Sequence, residues 1–335
     1  MAVSLEESKH NTTDDINVAV IDEFRKTGVV LDSLIFDDVV NPAGGGDTLT
    51  FGYRRLITQA TADTRKINSE YTDQNVETKR FTSDLAVLGG SFAVDRVTAK
   101  LGPAASGNIA LNVAQKAKST NAKFADLVIN GDTATDEDGF DGLDKALTGS
   151  STEFRLDEVT DWTDFDSNPR AEHKALDAID EFLSLLDGAP SLILGNKWAL
   201  ARVRAAARRA GMYTRNPIEG LVGQDGRPIE REMYGNIVFG DAGAKAGSND
   251  EIIPVQDRTV GGTAATGLTD LYAYRVGLDG FHGVSTIGGE LVQVIMPDFS
   301  TAGAVKRGEV ELGPIGAVLK SSKAAAAWRN IKVRA

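Results

Sequence analysis

Few residues of this chain have the type and spacing that chemistry requires. Gly283-Val284-Ser285-Thr286-Ile287 begins as a nucleophile turn would, with His282 beside it in sequence, but Ile287 stands where such a turn needs its second glycine. A hydrolase is not expected from it. The acidic run Asp132-Thr133-Ala134-Thr135-Asp136-Glu137-Asp138-Gly139 offers oxygen ligands of the kind calcium takes. Setting Asp138-Gly139 at the fifth and sixth places of a calcium loop puts Ala134 at the first and Lys145 at the twelfth, so both ends fail. A solvated turn is the better reading. Gly44-Gly45-Gly46 is followed by no Gly-Lys-Ser/Thr and is not a phosphate loop. The sequence has no cysteine and 3 histidines, His10, His173 and His282, widely separated. Thiolate nucleophiles, disulfides and thiolate metal centres are therefore excluded, and a histidine metal site is poorly supplied. No catalytic, cofactor-binding or metal-ligating residue is assigned, no cofactor is expected, and the chain reads as a non-enzyme.

The charged residues suggest contact rather than catalysis. Arg202, Arg204, Arg208 and Arg209, with Lys197 and Arg215, form the densest basic patch. Such a patch is either an ordinary solvated helix face or a contact with an acidic neighbour or DNA. A second set, Asp63, Arg65, Lys66, Glu70, Asp73, Glu77, Lys79 and Arg80, carries both signs, as salt bridges between subunits would use. From these sets the inter-subunit contact candidates are Arg65, Lys66, Glu70, Asp73, Glu77, Lys79, Arg80, Arg202, Arg208 and Arg209. The formal net charge of -12 opposes binding to phosphate over the whole surface. No apolar run approaches the roughly 18–20 residues of a membrane span. The start, MAVSLEESKH, lacks the apolar stretch of a signal peptide. A protein made and kept in a cytoplasm is expected.

The elements that must carry these residues follow from periodicity. Thr13-Asp14-Asp15 offers helix-capping oxygens before an apolar stripe at Ile16, Val20, Ile21 and Phe24, with Gly28 as its stop. Residues 29–40 read as extended, and Asn41-Pro42-Ala43-Gly44-Gly45-Gly46-Asp47 as a break. Leu49 to Tyr53 alternates as a strand, and two more strand-like runs flank Gly89-Gly90. Between them Thr58–Lys79 is polar, with almost no large apolar residues. A hairpin so composed is marginal alone and needs a partner surface.

Gly102-Pro103 opens a long helix to Asn130, with Asn130-Gly131 as its stop and a small-residue stripe of Ile109, Val113 and Ala117 with Ala110 and Ala114. A second helix spans about 170–186 and buries Leu176, Ile179, Leu183 and Leu186. Ser191 to Leu194 is a buried strand. Asn196 starts a third helix to Ala210, with Trp198, Leu200, Ala201, Val203 and Ala207 inside. Short strands follow at Ile237–Phe239, Ile252-Ile253, Leu271–Val276 and Leu291–Met296. The tail alternates at Ala304–Val310 and Ala317–Leu319 and finishes at Trp328–Val333. Strands, then helices, then strands without regular alternation indicate an α+β architecture.

This order of elements resembles the major capsid proteins of tailed bacteriophages, which have the Hong Kong 97-type fold. The resemblance spans essentially the whole chain. It rests on VAVIDEFRKTGVVLDSL (18–34), VINGDTATDEDGFDGL (128–143), LILGNKWALARVRAAARRAGMY (192–213) and the finish from Val305 to Val333. It implies an N-terminal arm (1–47), an extended β-hairpin loop over a neighbouring subunit (48–98) and a peripheral domain (99–171 and 288–335) with a spine helix (103–130). An axial domain (172–287) would gather around five-fold and six-fold centres. It further implies self-assembly into hexamers and pentamers of an icosahedral shell that encloses double-stranded DNA without sequence-specific binding. Scaffolding, portal and decoration proteins stand as further candidate partners, with no membrane involved. The expected location is the virion, after assembly in the host cytoplasm. An encapsulin-like nanocompartment shell is the alternative.

Some similar proteins carry a cleaved scaffolding region of about a hundred residues. A chain that starts at Met1 with an arm is expected to draw scaffolding from elsewhere or to dispense with it. Others join subunits by a Lys–Asn isopeptide bond. Lys66 and Lys79 lie in the hairpin, but no partner Asn or catalytic Glu is assigned.

Overall fold

The computed structural model describes residues 29–37, 49–97, 99, 103–166, 170–210, 215–222, 228–234, 237–286 and 292–334. The expected helix at 13–24 and the break at 41–47 lie outside them. In chain order the helices are α1 (Val30–Ser33), α2 (Pro103–Asn130), α3 (Leu143–Leu147), α4 (Ala171–Ser184) and α5 (Lys197–Arg209). The strands are β1 (Phe36–Asp37), β2 (Thr50–Leu56), β3 (Thr78–Asp84), β4 (Ala86–Asp95), β5 (Glu153–Phe154), β6 (Thr160–Asp161), β7 (Leu192–Gly195) and β8 (Arg215–Val222). They continue with β9 (Pro228–Tyr234), β10 (Ile237–Asp241), β11 (Gln256–Val260), β12 (Thr263–Tyr274), β13 (Phe281–Ser285), β14 (Val292–Ile295), β15 (Val305–Leu319) and β16 (Ala325–Lys332).

These strands form three sheets. The 5-stranded sheet runs β1-β13-β15-β14, with β4 also paired to β15. The 9-stranded sheet runs β5-β16-β12-β7-β10-β9-β8, with β11 on β12 and β6 on β16. The third is the isolated pair β2-β3. The two large sheets interleave in chain order. β13 pairs with β15, whereas β16 pairs antiparallel with β12 in the other sheet. β4 likewise leaves the hairpin to join the 5-stranded sheet.

Several local expectations change for identifiable reasons. Strand β4 runs straight through Gly89-Gly90, because the backbone passes so close to β15 that a Cβ at Gly89 would lie 2.7 Å from the Val310 carbonyl oxygen. β15 is one strand, not two; Pro314, which cannot donate to a ladder, sits at a register shift between Leu312 and Ile315. Val30–Ser33 is a helical turn inside the stretch expected to be extended, held by the Ser33 hydroxyl donating to the Val30 carbonyl at 2.8 Å. Ile252 and Ile253 are buried but form no strand. Side-chain amides satisfy their carbonyls instead, from Asn130 at 2.8 Å and from Asn196 at 3.1 Å.

α5 begins where Asn196 accepts from the Ala199 amide at 2.9 Å. Its buried line is Ala199, Leu200, Val203 and Ala206. Trp198 and Ala201 are therefore turned out, not in: each lies well round the helix from that stripe. Trp198 is 40% exposed, with the Arg334 guanidinium 4.7 Å above its ring. α4 meets expectation at Leu176 and Ile179 and adds Phe182, while Leu183 and Leu186 are only partly buried.

Two large clusters, with a small third one at the root of the hairpin, fill the interior. One joins the C-terminal half of α2 (Phe124, Leu127, Val128, Ile129) to Phe140, Leu143 and both large sheets. The other lies under α4 and α5, around Trp328, whose ring meets Trp162 and Phe154 edge-on at 5.2 Å each. α2, about 42 Å long at 1.5 Å per residue, outruns its support, and Ala110 and Ala114 of its small-residue stripe are exposed.

Candidate assembly surface

The strands β2 and β3 pair from Thr50↔Asp84 to Leu56↔Thr78 and touch the body only at their root. There Phe51 is buried with Leu85, Val284 and Val318. The Tyr53 hydroxyl donates to the Leu319 carbonyl at 3.1 Å. The Arg55 guanidinium donates to the Leu319 and Lys320 carbonyls, both at 2.9 Å. It also lies 4.7 Å from the Phe81 ring, which stacks on Tyr53 at 5.7 Å. This clamp sets the angle at which the hairpin leaves the subunit.

Beyond the clamp, residues 59–80 are exposed without exception. The arms stay in register through the Ile57 amide to the Glu77 carbonyl at 2.8 Å and through Thr61 to Gln74. At the tip Asn68 takes φ 67°. The Ser69 amide and hydroxyl both donate to the Lys66 carbonyl, and Arg65 donates to the Ser69 carbonyl at 3.0 Å while lying 5.4 Å over Tyr71. An ordered turn thus presents Ile67, 91% exposed, with Leu56, Ile57, Tyr71 and Val76 also at least half exposed.

Lys79 and Arg80 stand on the β2-β3 ladder, and Arg65, Lys66, Glu70, Asp73 and Glu77 on the segment that extends beyond it; all seven are exposed. The helix candidates divide. Arg202 donates to the carbonyls of Val333 and Thr163 at 3.1 and 3.2 Å, and Arg209 forms an ion pair with Asp166. Both are engaged within the chain, whereas Arg208 is exposed.

In the acidic turn, the positive charge comes from the chain itself. Lys145 Nζ lies 2.6 Å from Asp132 and 2.8 Å from Asp141, which Thr133 also caps through its amide at 2.9 Å. The Lys145 hydrogen bond is the largest influence on Asp132 and lowers its pKa. For Asp141 burial is the largest influence and raises the pKa, but the Lys145 and Thr133 bonds outweigh it, and the pKa is lowered. Among the described residues no group of three or more His, Cys, Asp or Glu is placed to hold a metal ion. Among them, too, no helix is long and apolar enough to cross a membrane.

His282 and Ser285 occupy buried positions of β13 rather than an exposed turn. His282 is fully buried, and Asp37 Oδ2 lies 3.9 Å from its ring. Its ring meets Phe51 of the hairpin root edge-on at 6.1 Å. Beside it β1 pairs with Gly283, where any Cβ would strike the Phe36 ring at 2.3 Å. Burial, then Lys320, lowers the His282 pKa, against Asp37, the Gly280 backbone and Asp279. The unfolded chain therefore takes up this proton first as pH falls. Stability from neutral His282 should be whole above about pH 6.5 and decline below it towards the folded pKa. His282→Phe should flatten that decline between pH 7 and 5 in urea-unfolding midpoints; parallel curves for the two proteins would contradict it.

Sequence reasoning found the hairpin from its apolar poverty. It missed the clamp, since Tyr53 and Arg55 meet carbonyls more than 260 residues away, a contact no local pattern reports.

No protein-family model matches the sequence, and no curated protein matches it. Solved structures do. The holo-SrpI encapsulin complex from Synechococcus elongatus PCC 7942 is similar with a TM-score of 0.56 at 12% identity, covering 100% of this chain and 98% of that one. The capsid of Myoviridae phage XM1 gives a TM-score of 0.54 at 12% identity, over 98% and 99% of the two chains. A chain of Mycobacterium phage Bobi gives 0.57 at 13% identity, over 98% and 99%. End-to-end likeness at such low identity establishes architecture: the chain has the Hong Kong 97-type capsid fold.

Proposed function

We propose that this chain is the major capsid protein of a tailed bacteriophage. In this reading it self-assembles into hexamers and pentamers of an icosahedral shell around double-stranded DNA. Its work is geometric rather than catalytic, and its home is the virion after assembly in the host cytoplasm. The observation that carries the reading is the β2-β3 hairpin, which among the described residues pairs with no other strand and displays Ile57, Ile67, Tyr71 and Val76 to solvent. The net charge of -12 suits a wall that encloses DNA without gripping it.

In this reading residues 1–47 are the arm, 48–98 the extended loop and 103–130 the spine helix. Residues 99–171 and 288–335 would form the peripheral domain and 172–287 the axial domain. Scaffolding, portal and decoration proteins would be the further partners. A nanocompartment shell is the second reading, favoured by the equally full-length likeness to the encapsulin.

Electron microscopy of the protein expressed alone, with size-exclusion chromatography, tests both. Rings or closed shells are expected, and their diameter and nucleic-acid content distinguish capsid from compartment. A monomer at every concentration, with the hairpin as protected from hydrogen exchange as the core strands, would refute a shell subunit.

A further inference from the structure

The basic helix and its neighbour divide their charge in a way that bears on how subunits meet. Within α5, Arg202 and Arg209 turn toward Thr163, Val333 and Asp166. Lys197, Arg204 and Arg208 recur seven and four residues apart and share another side. α5 contains no acidic residue. Beside it α4 exposes Asp177, Asp180 and Glu181, with Lys174 as its exposed basic residue. The two helices pack together on one face of the 9-stranded sheet, α4 against β16 and α5 against β10, with β12 and β7 between those strands. One margin of this layer is thus acidic and the other basic.

A surface charged oppositely at its two margins complements itself head to tail, the arrangement that closes into rings. We propose that the α5 side of one subunit docks on the α4 side of the next copy of this chain, with Lys197, Arg204 and Arg208 facing Asp177, Asp180 and Glu181. DNA fits the basic side poorly, since the adjoining acidic helix and the net charge of -12 both repel phosphate. Lys197 also reaches Glu251 at 2.9 Å, Glu181 also reaches Arg155 at 3.2 Å, and Arg204 and Asp180 are likewise engaged. The exposed Arg208 and Asp177 therefore carry the test. The inference rests on the shell reading and specifies one of its contacts.

Arg208→Glu, Asp177→Lys and the double variant should be compared with the unaltered chain at physiological salt by sedimentation and negative-stain microscopy. Circular dichroism would check that each variant is folded. Each single reversal sets like charges together and is expected to lower the yield of rings or shells about tenfold or more. The double variant restores opposite charges and is expected to recover most of it. Since charges at an exposed margin are screened beyond about 8 Å at 0.15 M salt, assembly of the unaltered chain should also weaken as salt rises. Folded single variants that assemble normally would overturn the docking while leaving the shell reading intact. A double variant no better than the singles would overturn it too. Failure of the unaltered chain to form rings at any concentration, with the hairpin as protected from hydrogen exchange as the core strands, would remove the shell reading itself, and the docking with it.

Discussion

Replacing Arg329 by Ala is expected to destabilise the subunit by about 3–5 kcal/mol, the cost of breaking a buried ion pair by removing one partner. Arg329 is 7% exposed on β16. Its Nε donates to Glu153 at 2.8 Å, and its Nη1 reaches Asp144, the Tyr272 hydroxyl at 3.0 Å and Asp270 at 3.4 Å. Burial alone would lower the guanidinium pKa, but Tyr272 and the carboxylates outweigh it, and the pKa is raised. Without the guanidinium Asp270 keeps Arg258 at 2.7 Å. Glu153, whose side chain is 4% exposed, keeps only the Gly149 amide at 2.8 Å among these contacts. Adding Glu153→Gln, which removes the stranded charge, should therefore recover part of the loss. Urea-unfolding midpoints of the single and double variants measure both. A loss under about 1 kcal/mol, or no recovery in the double variant, would mean that the network contributes little.

Local pattern announced much of the fold, and its failures share a cause. The bounds of α2 followed from Pro103 and Asn130-Gly131, and those of α5 from Asn196, because caps and stops act over a few residues. The Arg329 network left no such trace. Asp144, Glu153, Asp270, Tyr272 and Arg329 come from α3, β5, β12 and β16, and the pairings that unite them are non-local. The one available signal was Arg329-Asn330 interrupting an apolar run in a strand-like tail. A charge there has to be paired, and Asn330, at φ 58°, uses its amide to reach Asp270 at 3.0 Å. The same limit explains β16, which follows β15 in sequence yet joins the other sheet. The α5 arginines show the same limit: their type was legible, but which of them are engaged within the chain depends on a turn at 163–166 approaching from elsewhere.

Shortening the hairpin by replacing residues 59–76 with Asn-Gly, the pair favoured in two-residue hairpin turns, is expected to abolish shell formation with little effect on the folded subunit. Residues 59–76 are all exposed, so removing them withdraws nothing from the core. The root clamp of Tyr53, Arg55 and Phe81 lies outside the replaced segment and stays whole. The thermal midpoint should accordingly shift by no more than a few degrees, as for a change below about 1 kcal/mol. Assembly should respond far more. Burying one side chain such as Ile67 or Tyr71 contributes about 1.5–3 kcal/mol, and the loss recurs at every copy in a closed shell. Ile67→Asp alone should therefore lower shell yield steeply while leaving the monomer folded, because at 91% exposure this side chain does nothing for its own subunit. Arg55→Ala separates aim from reach. It keeps the apolar tip but frees the angle at which the hairpin departs, so it should give rings or irregular shells where the shortened chain gives monomers. Normal closed shells from the shortened chain would show that the hairpin is dispensable for assembly and that the interfaces lie elsewhere.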